Sequence, residues 1–134
     1  MRVIIIGGPL SGKSTLATRT GLPHYCTDPK SIARNQSDKT NYLPEGLKWG
    51  DDSEYILANW LMMPGSWVIE GVGAVRALRK WAQKYPHSMP ADKIIVIKGH
   101  AEAVTDGQFT MGKSVAKIWH EISNTFAPVT QYIE

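Results

Sequence analysis

Short, continuous apolar runs alternate along the chain with stretches in which apolar residues recur every three to four positions. Val3–Ile6 is the first run, and its unbroken hydrophobicity predicts a strand covered on both faces. Gly12 to about Thr20 reads as a helix closed by Gly21 and Pro23. His24–Thr27 is a second, weaker strand. Residues 35–50 are polar and turn-rich, with Asn35, Ser37, Asp38, Asn41, Pro44 and Gly46, and predict a long loop of the kind that is functional or mobile.

A helix opens at Asp51, where Asp51 and Glu54 fit a capping-box-like pair, and carries Ile56, Leu57, Trp60 and Leu61 until Pro64-Gly65 stops it. Trp67-Val68-Ile69 reads as the third strand, ending at Glu70-Gly71. From Ala74 to Tyr85, Val75, Leu78, Trp81, Ala82 and Tyr85 form one apolar helical face. Ile94–Ile97 is the fourth strand. Thr105 and Gln108 fit a second capping box, opening a last helix with Val115, Ile118, Trp119 and Ile122 inward. Four strand–helix alternations argue for an α/β domain with a short parallel sheet and helices on both faces. No fifth strand is expected after the last helix.

The 134 residues bound this to one domain spanning 1–134, with a single core. A lone cysteine, Cys26, excludes an intrachain disulfide and points to a reducing compartment. The first apolar run is too short to span a bilayer and has no small-residue cleavage site after it, so no membrane partner and a cytoplasmic location are expected. The formal charge of +3 suits polyanions such as nucleotides or DNA, and equally an ordinary solvated surface. His24, His87, His100 and His120 share no metal-ligand spacing and read as surface or edge residues.

One stretch narrows the chemistry sharply. Gly7-Gly8-Pro9-Leu10-Ser11-Gly12-Lys13-Ser14 fits G-x-x-x-x-G-K-[ST] in full. By average residue usage such a match arises in roughly one window in 25,000, and here it also follows a predicted strand and opens a helix, so an incidental glycine-rich turn is a poor explanation. The glycines let main-chain N–H groups wrap a phosphate, and the helix start adds its positive end. In this pattern Lys13 reaches the β and γ phosphates of ATP or another NTP, Ser14 takes a place on Mg²⁺, and Thr15 follows in the same cradle.

This motif and the order of elements resemble the P-loop kinases, the superfamily of adenylate, shikimate, gluconate and deoxynucleoside kinases. The resemblance is close over Gly7–Thr15, with looser matches near Asp28 and Glu70. It implies a three-layer P-loop NTPase fold with strand order 2-3-1-4 and nucleotide at the carboxyl ends of the strands, a placement general to open parallel sheets. It implies that Asp28 accepts the acceptor's proton, although an Asp before Pro29 also suits a turn or helix cap. It implies that Glu70 holds Mg²⁺ or the acceptor, with Gly71 and Gly73 leaving room for a ligand; a strand-end carboxylate capping the next helix is the plainer alternative. Arg76 matches an arginine that steadies the transferring phosphoryl group, while Arg79, Lys80 and Lys84 continue its stripe as a solvated face. Lys30 and Arg34 are candidates for the acceptor, and Trp49 for stacking on a base or for plugging a gap.

Monophosphate kinases of this superfamily carry an arginine-rich lid after the fourth strand. Here Lys98–Gln108 holds no arginine, and the chain has only five, at 2, 19, 34, 76 and 79, which favours a hydroxyl acceptor. The lid-poor, mildly basic chain is similar to the small phage 5-hydroxymethyluridine DNA kinases, in Val68–Val72 and Arg76–Arg79. That resemblance implies a kinase active in DNA modification in the host cytoplasm, with Lys30, Arg34, Lys39, Lys48 and Arg76 along the strand. A kinase of a free nucleoside, nucleotide or other small hydroxyl metabolite, and an ATP-binding regulator that hydrolyses slowly or not at all, stay open as alternatives.

Overall fold

The computed structural model describes residues 1–9, 11–28, 39–48, 50–98 and 105–133. Six strands form one all-parallel sheet: β1 (Arg2–Ile6), β2 (His24–Cys26), β3 (Thr40–Tyr42), β4 (Trp67–Glu70), β5 (Lys93–Ile97) and β6 (Thr130–Ile133). They lie side by side in the order β3-β2-β4-β1-β5-β6.

Alternation along the central strands decides what covers each face. Ile4 and Ile6 of β1, Trp67 and Ile69 of β4, and Ile94 and Val96 of β5 point into the larger core. There they meet α2 (Asp51–Tyr55) and its continuation, α3 (Ala74–Lys84) and α4 (Asp106–Phe126). Val3, Ile5, Val68 and Ile95 point the other way, against Ala17 and Leu16 of α1 (Lys13–Arg19). Both faces are therefore dry at the centre, which is why β1 and β4 read as unbroken apolar runs.

The fourfold strand–helix expectation is incomplete at both edges of the sheet. Residues 40–42, placed by sequence within a long loop, form β3 and pair with β2 in register His24↔Thr40, while Asn41 Nδ2 donates to the His24 carbonyl at 3.1 Å. Three half-exposed residues are too few for a hydrophobic period to register. The fifth strand expected to be absent exists as β6, reached through a 3₁₀ turn at Ala127–Val129 and paired with β5. The sheet is thus six strands wide rather than four.

Helix starts divide in the same way. Thr105 and Gln108 form the expected capping box at α4. Asp51 does not cap α2: Gly50 is the N-cap and Asp51 the first helical residue. Glu54, the other half of the expected box, is drawn instead into an ion pair with Lys80 of α3. After α2 the chain widens into a π-helical turn over Ile56–Trp60, closed by the Leu61 N–H on the Ile56 carbonyl at 2.9 Å, and this turn buries Ile56, Leu57 and Trp60. Among the described residues no helix is long and apolar enough to cross a membrane.

Candidate functional site

The polar groups gather where β1, β2 and β4 end. The chain leaves β1 through Gly7, Gly8 and Pro9, and re-enters regular structure at α1 with Gly12 as N-cap. Gly12 has φ 93°, in the left-handed region that a side chain resists. Leu10 lies outside the described residues. Ser11 N–H donates to the Gly8 carbonyl at 3.3 Å, and a Cβ at Gly7 would stand 2.5 Å from the Ser11 hydroxyl. That hydroxyl is buried and has no hydrogen-bond partner among the described residues.

Lys13, in the first turn of α1, folds back over this turn, and Nζ donates to the Gly8 carbonyl at 2.7 Å. At 5% exposure it is a buried cation. Burial pushes its pKa down, while the negative charges of Asp28 and Glu70 work in the opposite direction. Ser14 Oγ, one residue on, donates to Glu70 Oε1 at 3.0 Å, so the start of α1 is joined to the end of β4. Thr15 is exposed on the same turn.

Glu70 has no solvent exposure. Its Oε1 also meets His24 Nε2 at 3.1 Å, and His24 Nδ1 reaches Thr40 Oγ1 at 3.4 Å across β3. Burial works to raise the Glu70 pKa, but the hydrogen bond to His24, the neighbouring Cys26 thiol and the hydrogen bond from Ser14 outweigh it and hold the carboxyl below its usual range. Its other oxygen, Oε2, is buried and has no hydrogen-bond partner among the described residues. The Cys26 thiol's own pKa is driven upward, first by burial and then by Glu70 and Asp28.

Asp28 Oδ1 accepts from the Val72 N–H at 3.2 Å, so Asp28 stitches the end of β2 to the turn after β4. Burial pushes its pKa up; Lys13 opposes this and Glu70 adds to it. Thr27 works alongside, its N–H on the Glu70 carbonyl at 2.8 Å and its Oγ1 accepting from Gly73 N–H at 3.0 Å. A Cβ at Gly71, where φ is 128°, would stand 2.1 Å from Thr27 Oγ1. The space expected to admit a ligand at Gly71 and Gly73 therefore belongs to the Thr27 side chain.

Of the predicted site residues, the structure brings together Gly7–Pro9, Ser11–Ser14, Asp28 and Glu70. Arg76 lies half-buried in the first turn of α3, which begins four residues after Glu70. Lys30, Arg34 and Trp49 lie outside the described residues, as does His100. Lys39 and Lys48 are exposed. Within the basic stripe, Arg79 pairs with Glu121 of α4 at 3.8 Å and Lys80 with Glu54, so two of its cations join helices.

His24 corrects the expectation of a surface or edge histidine: it is 8% exposed and holds Glu70. Thr27 was not singled out either. Asp52 stands close to Gly73, its Oδ2 3.7 Å from where a Cβ would be. No sequence signal marks these three, because each matters through a partner on another strand or loop. Among the described residues no group of three or more His, Cys, Asp or Glu is arranged to hold a metal by itself. A magnesium site built from phosphate oxygens, water, one hydroxyl and one carboxylate needs no such group, and the pairing of Ser14 with a carboxylate whose second oxygen has no partner among the described residues has the donor chemistry for it.

Beside the Gly7–Pro9 arm, between β5, β6 and α4, lies a cavity of about 570 Å³. No protein-family model matches the chain, and neither a curated protein nor a solved structure does.

Proposed function

We propose that the chain is a P-loop kinase: it grips the phosphates of an NTP, ATP first, with Gly7–Ser14 and transfers the γ-phosphoryl group to the hydroxyl of a nucleoside-type acceptor. The observation that carries the reading is Lys13, a buried cation folded over its own glycine turn and faced by Asp28 and Glu70. Such a buried, unsaturated positive centre is suited to a bound polyanion, where low dielectric strengthens the attraction.

Each residue then has a task. The Gly7–Gly12 backbone and the first turn of α1 cradle the phosphates. Lys13 leaves the Gly8 carbonyl and neutralises charge on the transferring group. Ser14 and Glu70 would hold Mg²⁺, which when bound offsets charge on the phosphate oxygens. His24 keeps the Glu70 carboxylate in place. Asp28, whose burial raises its proton affinity above that of an exposed carboxylate, takes the acceptor's hydroxyl proton. The acceptor oxygen bonds to the γ-phosphorus, the bond to the β–γ bridging oxygen breaks, and the nucleoside diphosphate leaves with that electron pair.

The acceptor class follows from the short, arginine-free stretch after β5. The hydroxymethyl group of 5-hydroxymethyluracil in DNA is the acceptor we favour, held on Lys39, Lys48 and Arg76. A free nucleoside is the second reading, and one observation favours it: Arg79 and Lys80 are spent on Glu121 and Glu54, which thins the basic stripe a DNA strand would need. Transfer of label from γ-labelled ATP with Mg²⁺ tests both, using 5-hydroxymethyluracil DNA, ordinary DNA and free nucleosides in parallel. Label in the modified DNA alone supports the first acceptor, and label in a nucleoside alone the second. ATP binding with no transfer to any of them contradicts both acceptors and favours a nucleotide-binding regulator.

A further inference from the structure

Burial does not account for β3. The strand has three residues, none of them buried, and it forms the edge of the sheet beyond β2. So little covered apolar area gains little from the hydrophobic effect, which leaves its polar side chains to decide what it contributes. Two of the three end on one residue. Asn41 Nδ2 donates to the His24 carbonyl at 3.1 Å, and Thr40 Oγ1 meets His24 Nδ1 at 3.4 Å. The register sets Thr40 directly opposite His24, so the pairing of the strands brings the hydroxyl to the ring. At 3.4 Å the contact is long, and it acts through direction more than strength. A hydroxyl can donate or accept, so it suits Nδ1 in either form of the ring.

The other ring nitrogen carries the consequence. His24 Nε2 lies 3.1 Å from Glu70 Oε1, and an ionised carboxylate can only accept, so Nε2 bears the proton between them. Ser14 Oγ donates to the same oxygen at 3.0 Å. Both donors therefore converge on Oε1, while Oε2 is buried and has no hydrogen-bond partner among the described residues. Cys26, opposite Glu70 in the register, offers only a weak thiol donor. Thr40, His24, Glu70 and Ser14 thus make one line of polar contacts, running across β3, β2 and β4 into α1.

An imidazole held at one nitrogen can swing about its bond to Cβ, whereas one held at both keeps the same edge toward its partner. We propose that Thr40 is a positioning residue: by fixing the His24 ring it commits Glu70 Oε1 to protein donors and leaves Oε2 to the Mg²⁺ of the bound nucleotide. The inference rests on the proposed magnesium role of Ser14 and Glu70.

ATP binding measured with Mg²⁺, and again with the metal chelated, reads the metal's share of the affinity. The variants are Thr40→Val, which removes the hydroxyl but keeps a branched side chain suited to a strand, and Thr40→Ser, which keeps the hydroxyl; thermal melting checks that both fold. Mg²⁺ should tighten wild-type ATP binding by at least about tenfold. Thr40→Val should bring that gain below about threefold with metal-free affinity unchanged, because loss of an outer partner weakens a metal site, and Thr40→Ser should keep the wild-type gain. A full gain in Thr40→Val would overturn the positioning role. So would a gain lost in Thr40→Ser as well, or an equal loss with and without metal, which a general disturbance of the fold produces. If Mg²⁺ leaves wild-type affinity unchanged, the magnesium reading of Ser14 and Glu70 falls first and the positioning role falls with it.

Discussion

Ser14 and Glu70, 56 positions apart, meet through a 3.0 Å hydrogen bond that joins the first turn of α1 to the end of β4. Glu70 ends β4 beside β1, with Ile5 opposite Glu70, and the chain leaving β1 turns through the glycine loop into α1. The sheet register places the carboxylate, and the loop brings the Ser14 hydroxyl to it. Because Glu70 is fully buried, whatever holds its charge also holds the site.

His24 is the first such group. Replacing it by alanine removes a partner from a buried carboxylate and leaves that charge less compensated. The His24→Ala protein should be less stable by about 2–4 kcal/mol, read from urea unfolding midpoints, with an unchanged slope. A loss below about 0.5 kcal/mol would mean that water replaces the imidazole at no cost.

Gly71 is restricted twice, by its φ of 128° and by the Thr27 hydroxyl. Gly71→Ala should cost about 2–4 kcal/mol. Thr27→Ala should recover part of that loss, so the double variant should be less destabilised than the two single losses added together. Strict additivity in that cycle would show that backbone strain alone penalises the alanine.

Asp28 makes the pH dependence specific. Its folded pKa lies above the usual carboxylate range, so between the unfolded and folded values the native state holds more protons than the unfolded chain. Its charge therefore works against stability above the folded pKa, and this penalty fades as pH falls. Asp28→Asn should raise the melting temperature at pH 7, with the gain shrinking toward pH 4, while phosphoryl transfer falls by about 10²–10⁴-fold. Glu70 has the opposite sign: its lowered pKa contributes stability above the usual carboxylate range, lost as pH drops through the folded value. A melting temperature lowered by Asp28→Asn at pH 7 would contradict the burial argument.

The central strands and their helices were legible in the sequence because burial on both faces leaves continuous apolar runs, as in Val3–Ile6 and Trp67–Ile69. The glycine-lysine turn was legible because its spacing is local. What the sequence hid is non-local or short. β3 and β6 are half-exposed edge strands of three and four residues, below the length at which alternation speaks. His24 carries no motif; its role exists only because β2 lies beside β4 in register His24↔Val68, which brings its imidazole to Glu70. Gly71 and Gly73 signalled open space, and nothing in the chain showed that Thr27 would fill it.

The most direct test of the proposed phosphate grip is equilibrium binding of ATP with Mg²⁺ to the wild type and to Lys13→Ala, followed by calorimetry. Removing the buried cation should weaken ATP binding by about 10²-fold or more, with AMP bound weakly by both proteins. Equal ATP affinity in the two proteins, or no ATP binding by the wild type, would contradict the account at its centre.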